Sequence, residues 1–421
     1  MKKVLIGTTA LVAASMLSLP AMAMHLDEDG NYQAHTGNLS LAIGGYGTFK
    51  IEYKSRESTK DDTVSYRNHN ADFDSELHFE GSTTLDSGTE AGIEIQFETG
   101  GSSIATDPID DNFIWVKGSL GTVYLGSRDS TELDVGIARN YSGVGLLAVE
   151  KGAHEIGLSS NADTNGGQNN KVIWEAPSMS GIELAINYTP QLVQNTTSNA
   201  INSVVGAKGE DLLIGLKWTG AMGAATVKVS LGYGTAKAED KSADKDIDSD
   251  VRQRLGFEVS GIGNLTIGGY WLKSTDSAVA VTPTEDRTNQ GLGVKWVSGD
   301  WTVGVGWESA KQDELTEAAV NVKNGTDKAT RMDIGVTYKL NADMNLKVGY
   351  RQEKYDDDQN VAANENSTKS FDVKFEWNVG PGLEFDVGFQ NFRYTHHLGL
   401  ATAAKKTGTA GYRSEERRVG K

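Results

Sequence analysis

Phe371-Asp372-Val373-Lys374-Phe375-Glu376-Trp377 sets apolar or aromatic residues at odd positions and charged ones at even positions. Gly380-Pro381-Gly382 interrupts the run, and Leu383-Glu384-Phe385-Asp386-Val387-Gly388-Phe389 resumes it. Successive side chains of an extended strand point to opposite faces, so this hairpin has one apolar face and one charged face. The same unit, two long alternating strands around a short turn, recurs from about Leu39 to Phe392. A soluble sandwich shares the alternation, but it closes its apolar faces on each other with shorter strands. Long strands with aromatic ends behind an export signal predict an all-β fold instead. The expectation is a transmembrane antiparallel β-barrel, apolar outside and wet inside.

The export signal lies at residues 1–23. Lys2 and Lys3 form its basic end, Val4 to Leu19 is largely apolar, and Ala21-Met22-Ala23 is a small-x-small cleavage pattern. Beyond it no run of eighteen apolar residues occurs. A closed barrel is then the remaining way to satisfy backbone hydrogen bonds inside a membrane. Glycine numbers 49, proline 6 and cysteine none, which suits long ladders and excludes a disulfide framework. The net charge of −17 makes the chain strongly acidic.

The barrel is expected over residues 24–412. Outward rows include Phe49/Ile51/Tyr53, Ile182/Leu184/Ile186/Tyr188, Leu212/Ile214/Leu216/Trp218, Trp301/Val303/Val305/Trp307 and Leu346/Val348/Tyr350. Trp174, Trp218, Trp296, Trp301, Tyr338 and Trp377 fall where strands meet turns or loops, the place of interfacial girdles. About seventeen strands can be counted, and bacterial barrels have even numbers, so 16 to 18 are predicted, with a last strand near Lys405–Tyr412 cut short. Arg413 to Lys421 departs from the pattern and resembles translated sequencing-adapter oligonucleotide, a non-native tail over 413–421.

Two segments carry a family likeness. Phe113-Ile114-Trp115-Val116-Lys117-Gly118-Ser119-Leu120-Gly121-Thr122-Val123-Tyr124-Leu125-Gly126-Ser127-Arg128 resembles the glycine-punctuated strand pair before the constriction loop of Gram-negative general porins. Asn170 to Gly181, with its aromatic-x-x-Pro…Gly turn, is similar to the strand after that loop, nearest to porins of alphaproteobacterial type. The resemblance implies homotrimers of barrels in the outer membrane of a Gram-negative bacterium, among lipid and lipopolysaccharide. It also implies that residues 129–170 fold inward, placing Asp129, Glu132, Asp134, Glu150 and Glu155 in a constriction. The implied activity is passive diffusion of small hydrophilic solutes and ions.

By the alternation, the pore wall takes Lys50, Glu76, His78, Glu80, Glu94, Glu98, Arg128, Lys171, Arg252 and Arg254. Strands two and three are acidic where the family often places arginine, and a lumen rich in carboxylates draws cations and resists anions. A cation preference follows.

Enzyme chemistry finds no support. Without cysteine there is no thiol nucleophile, and no Gly-x-Ser-x-Gly elbow occurs. His396-His397 is expected in an exposed loop with no further ligand at useful spacing, and the acidic runs match no calcium loop. No catalytic residue, cofactor or metal is predicted, and no nucleic-acid partner. Two other readings stay open: a substrate-selective eighteen-stranded channel, with Tyr46, Tyr124 and Tyr270 as inward aromatics, and a secreted all-β binding protein.

Overall fold

The computed structural model describes residues 22–26, 32–36, 39–56, 69–99, 109–128, 169–191, 208–238, 250–276, 285–315, 323–356, 365–380, 383–398 and 402–419. Met22–Leu26 (β1) and Tyr32–Thr36 (β2) pair as a separate two-stranded sheet, β1 meeting the expected cleavage pattern.

Eighteen strands then form one closed antiparallel barrel. The first nine are β3 (Leu39–Arg56), β4 (His69–Thr84), β5 (Glu90–Glu98), β6 (Ile109–Gly118), β7 (Gly121–Ser127), β8 (Asn170–Glu175), β9 (Ile182–Gln191), β10 (Lys208–Met222) and β11 (Ala225–Ala238). The rest are β12 (Asp250–Ile262), β13 (Leu265–Asp276), β14 (Glu285–Ser298), β15 (Trp301–Leu315), β16 (Lys323–Lys339), β17 (Met344–Asp356), β18 (Glu365–Gly380), β19 (Leu383–Leu398) and β20 (Thr402–Val419). Each strand pairs with its sequence neighbours, and β20 closes on β3.

Turn chemistry sets the short rim. In the Pro177…Gly181 turn, Ser180 and Gly181 both hold positive φ, and Met179 bridges to Ile182. A Cβ on Gly181 would overlap the Thr219 carbonyl oxygen, so only glycine fits this corner. Gly223, Gly263 and Gly299 turn the next hairpins at φ 64°, 60° and 56°.

The parity separates the two faces as expected. Outward Trp301, Phe371 and Phe389 stay 49, 46 and 46% exposed, whereas inward Asp333 and Asp372 are fully buried. A soluble globule would reverse this, so the secreted binding-protein reading is corrected: among the described residues most large apolar side chains lie on the outer face. At the short-turn rim, Trp301 and Tyr338 are direct partners with ring centroids 4.4 Å apart, and the Trp174 indole donates to the Leu120 carbonyl at 2.9 Å. Amphipathic rings of this kind suit the headgroup level.

Two sequence expectations change. The final strand is not short: β20 spans eighteen residues and recruits Arg413–Val419, because a ladder is made of backbone hydrogen bonds, which any non-proline residue supplies. His396 and His397 lie within β19, paired with Ala404 and Ala403, rather than in a loop.

Candidate pore

The lumen face is built by every second residue of the eighteen strands, and its charges are not spread evenly. On β4 and β5 the inward row is carboxylate against carboxylate. Glu76 partners Glu98 and Glu80 partners Glu94, with His78 opposite Gln96 between them. The Tyr46 hydroxyl on β3 donates to Glu76 at 2.5 Å, and His78 Nε2 lies 2.8 Å from the other oxygen of the same carboxylate. Gln96 donates to Glu94 at 2.7 Å. Glu76, Glu98 and Asp110 bring carboxylate oxygens within 4.8 Å of one another. Lys50 stands half-buried on β3, diagonal to Asp74.

The basic residues lie further round the ring. The Arg128 guanidinium, just past β7, stacks over Tyr124 at 4.0 Å and Phe113 at 4.9 Å. Lys171 on β8 is buried and donates to the Arg128 carbonyl oxygen. On β12, buried Arg252 pairs with Asp211 of β10, and Arg254 is buried one rung below. β12 stands eight strands from β4 in an eighteen-strand ring, so Arg252 and Arg254 are almost diametrically across from the β4 carboxylates. Of the wall candidates, Glu76, His78, Glu80, Glu94 and Glu98 fall on β4 and β5 with Lys50 on the neighbouring β3, whereas Lys171, Arg252 and Arg254 fall on β8 and β12 and Arg128 just past β7. Asp129, Glu132, Asp134, Glu150 and Glu155 lie outside the described residues.

Three features escaped the sequence reading. The first is a network on β15 to β17. Asp333 accepts from Arg331 Nε at 2.6 Å and from Arg351 Nε at 2.9 Å, while Glu308 lies 3.6 Å from Arg331 and Glu353 3.8 Å from Arg351. The second, nearer the short turns, sets Lys374 between Glu376 at 3.1 Å and Asp386 at 2.5 Å, with Lys347 on Glu376 at 2.6 Å. Alternation put these residues inward, but the cross-strand pairing came only with register. The third is a set of inward apolar side chains, Ile173 and Leu213 on one side of the β12 arginines and Leu272 beside Tyr270 on the other, each of the three 1% exposed. Asn187 sits between Ile173 and Leu213 as direct partner of both, and its amide has no hydrogen-bond partner among the described residues.

A closed barrel with an apolar exterior and ionised interior is an outer-membrane channel protein. This chain belongs to the Gram-negative porin family, whose model matches residues 7–358. It is a non-enzymatic outer-membrane channel for passive diffusion. No curated protein matches the chain. Among solved structures, the anion-selective porin from Comamonas acidovorans shares 14% identity over 91% of this chain and 100% of that one, with a TM-score of 0.50. OmpT of Vibrio cholerae shares 13% over 90% and 97%, with a TM-score of 0.48. At these identities the likeness is one of fold.

Proposed function

We propose that this porin is a cation-preferring general diffusion channel. The observation that supports it is the pair of directly opposed carboxylates, Glu76 with Glu98 and Glu80 with Glu94, on one lumen sector. Like charges placed opposite each other on a ladder destabilise it. A sector that bears this cost in enclosed water draws mobile cations, which offset the repulsion and raise the local cation concentration. Facing it, Arg252 and Arg254 produce a field across the pore that orients dipolar solutes. The test is a reversal potential in a potassium chloride gradient across a planar bilayer. A potential of the sign carried by potassium is expected, and one of the chloride sign overturns the reading.

The same proposal assigns residues 129–170 as an inward constriction bearing Asp129, Glu132, Asp134, Glu150 and Glu155. Its support is the burial of Ile173, Asn187, Leu213 and Leu272 on the lumen wall. Barrels of this size leave an aqueous channel, so wall side chains flanked only by their own sheet keep some exposure. The long segment between β7 and β8 adjoins Ile173 and Asn187 in the chain and is within reach of that part of the wall. Assembly as a homotrimer, and the alphaproteobacterial character of the Phe113–Arg128 strand pair, belong to the same reading; one related solved structure is described as the trimer form of OmpT.

A further inference from the structure

Trp115 on β6 is an aromatic residue that neither the interfacial girdles nor the lumen ion-pair networks use. Its strand neighbours Ile114 and Val116 are exposed on the outer face, so parity turns Trp115 inward, in register with Gly92 of β5 and Tyr124 of β7. The indole crosses the ladder onto β5. A Cβ on Gly92 would stand 2.5 Å from its Cε2 and 2.6 Å from its Cζ2, so the ring uses space that only glycine leaves.

Half-buried Trp115 has no ring, cation or hydrogen-bond partner among the described residues. Other inward aromatics are engaged. Tyr124 and Phe113 lie under the Arg128 guanidinium, Tyr46 donates to Glu76, and Tyr270 donates to Glu308 at 3.3 Å. Toward the long-loop rim, the next lumen residue of β5 after Gly92 is Glu94, whose direct partner on β4 is Glu80. Diagonal ladder neighbours such as Glu94 and Trp115 stand about 7–8 Å apart, and the reach of the indole over Gly92 shortens that gap. Glu80 is exposed and has no ion-pair partner among the described residues, and Glu94 accepts from the Gln96 amide. On the short-turn side the charge is already matched, because Glu90 pairs with Lys117 at 2.9 Å. The uncompensated charge beside the ring is therefore that of Glu80 and Glu94.

We propose that Trp115, Glu80 and Glu94 form a lumen subsite for solutes that carry a guanidinium group. The planar cation lies on the indole over Gly92 and turns its N–H edge to the two carboxylates. Indole is the best ring partner for a cation, and a guanidinium is flat and weakly hydrated, so it satisfies ring and carboxylates together. Arg128 over Tyr124 is the same contact made by the chain itself, one strand away on the side opposite Glu94. A bare alkali cation answers the carboxylates and leaves the ring without a role. A neutral sugar uses the ring and leaves the repulsion between Glu80 and Glu94 in place.

The inference rests on the cation preference proposed above, which brings cations to this sector, and adds the ring as a second requirement. Interruptions of single-channel current are recorded at low salt with agmatine, cadaverine (a dication of similar length without guanidinium), choline and maltose as probes. Agmatine is expected to bind about fivefold more tightly than cadaverine, the factor a cation–π contact supplies at a partly exposed site. Trp115→Leu should bring that ratio close to one, Trp115→Phe should keep part of it, and Glu80→Gln/Glu94→Gln should weaken both dications. If the leucine variant lacks the heat-modifiable folded band, Trp115→Met gives the same readout. Equal binding of agmatine and cadaverine by the native channel, or an unchanged ratio in the leucine variant, overturns the proposal. Choline or maltose interrupting the current as strongly as agmatine overturns it too. The reversal potential in a potassium chloride gradient separates the two readings. A chloride sign with Trp115-dependent agmatine binding removes the cation preference alone; a potassium sign with no agmatine advantage removes this subsite alone.

Discussion

Glu80 on β4 and Glu94 on β5 are direct partners across the ladder, both on the lumen side. Nothing in strand pairing asks for this arrangement; it works against the sheet that carries it. A sequence selected for stability alone would place a lysine or a neutral residue at one of the two positions. On the proposed cation preference, this is the pair whose reversal should change selectivity most directly.

Reversing that sector should reverse its effect. Glu80→Lys/Glu94→Lys is expected to lower the potassium-to-chloride permeability ratio at least twofold, read as a shift of reversal potential. The preference of the native channel should also fade with salt, since the screening length falls from about 10 Å at 0.1 M to about 3 Å at 1 M. An unchanged ratio in the double variant would place the selectivity elsewhere.

Deleting the segment between β7 and β8 tests the source of cover over the inward apolar side chains. Replacing residues 132–166 by a short glycine-serine link should raise single-channel conductance severalfold. It should also make Leu213→Cys and Asn187→Cys react with a water-soluble thiol reagent, where the same positions in the full-length chain resist it. Equal reactivity with and without the segment would dissociate the segment from those side chains.

The strand faces were legible because period-two alternation is local: Phe371, Val373 and Phe375 declare their side within a few residues. Some pore pairs were within reach as well. A turn centred on Ser87 makes Glu80 and Glu94 partners by counting back along both strands. Contacts that cross more than one ladder were not legible. Arg252 meets Asp211 over 41 residues, through two strand pairings and a long polar segment whose length says nothing of stagger. Buried Leu213 and Ile173 were hidden for another reason. Alternation gives their direction, but whether an inward apolar residue meets water or a covering segment depends on what occupies the lumen.

Asp333 is the acceptor shared by Arg331 and Arg351, fully buried, with Arg351 nearly so and Arg331 partly so. Removing it takes away the acceptor the two guanidiniums share and leaves Arg331 with Glu308 and Arg351 with Glu353, each at a longer distance. Asp333→Ala should therefore cost about 3–5 kcal/mol, the usual penalty for breaking a buried ionic network from one side. The measure is the temperature at which the folded, fast-migrating band is lost on gels. A double change, Asp333→Ala with Arg351→Met, should recover part of the loss; equal loss in both would deny the coupling.

The closing strand offers the sharpest stability test. Arg413 on β20 is in register with Ile51 of β3 and Val387 of β19, and Glu415 with Phe49 and Phe385. Those four partners belong to the lipid-facing rows, so Arg413 and Glu415 occupy lipid-facing register positions. An arginine on the outside of a barrel near the bilayer midplane costs about 2–4 kcal/mol, and a glutamate somewhat less. The seam between the first and last strands would then be the weakest part of the ring, as expected if Arg413–Lys421 is foreign to the barrel. Arg413→Leu/Glu415→Phe should raise the folded fraction in detergent and the number of channels inserted per unit protein. If both quantities stay at their starting values, the register has been assigned to the wrong face and the seam carries no penalty.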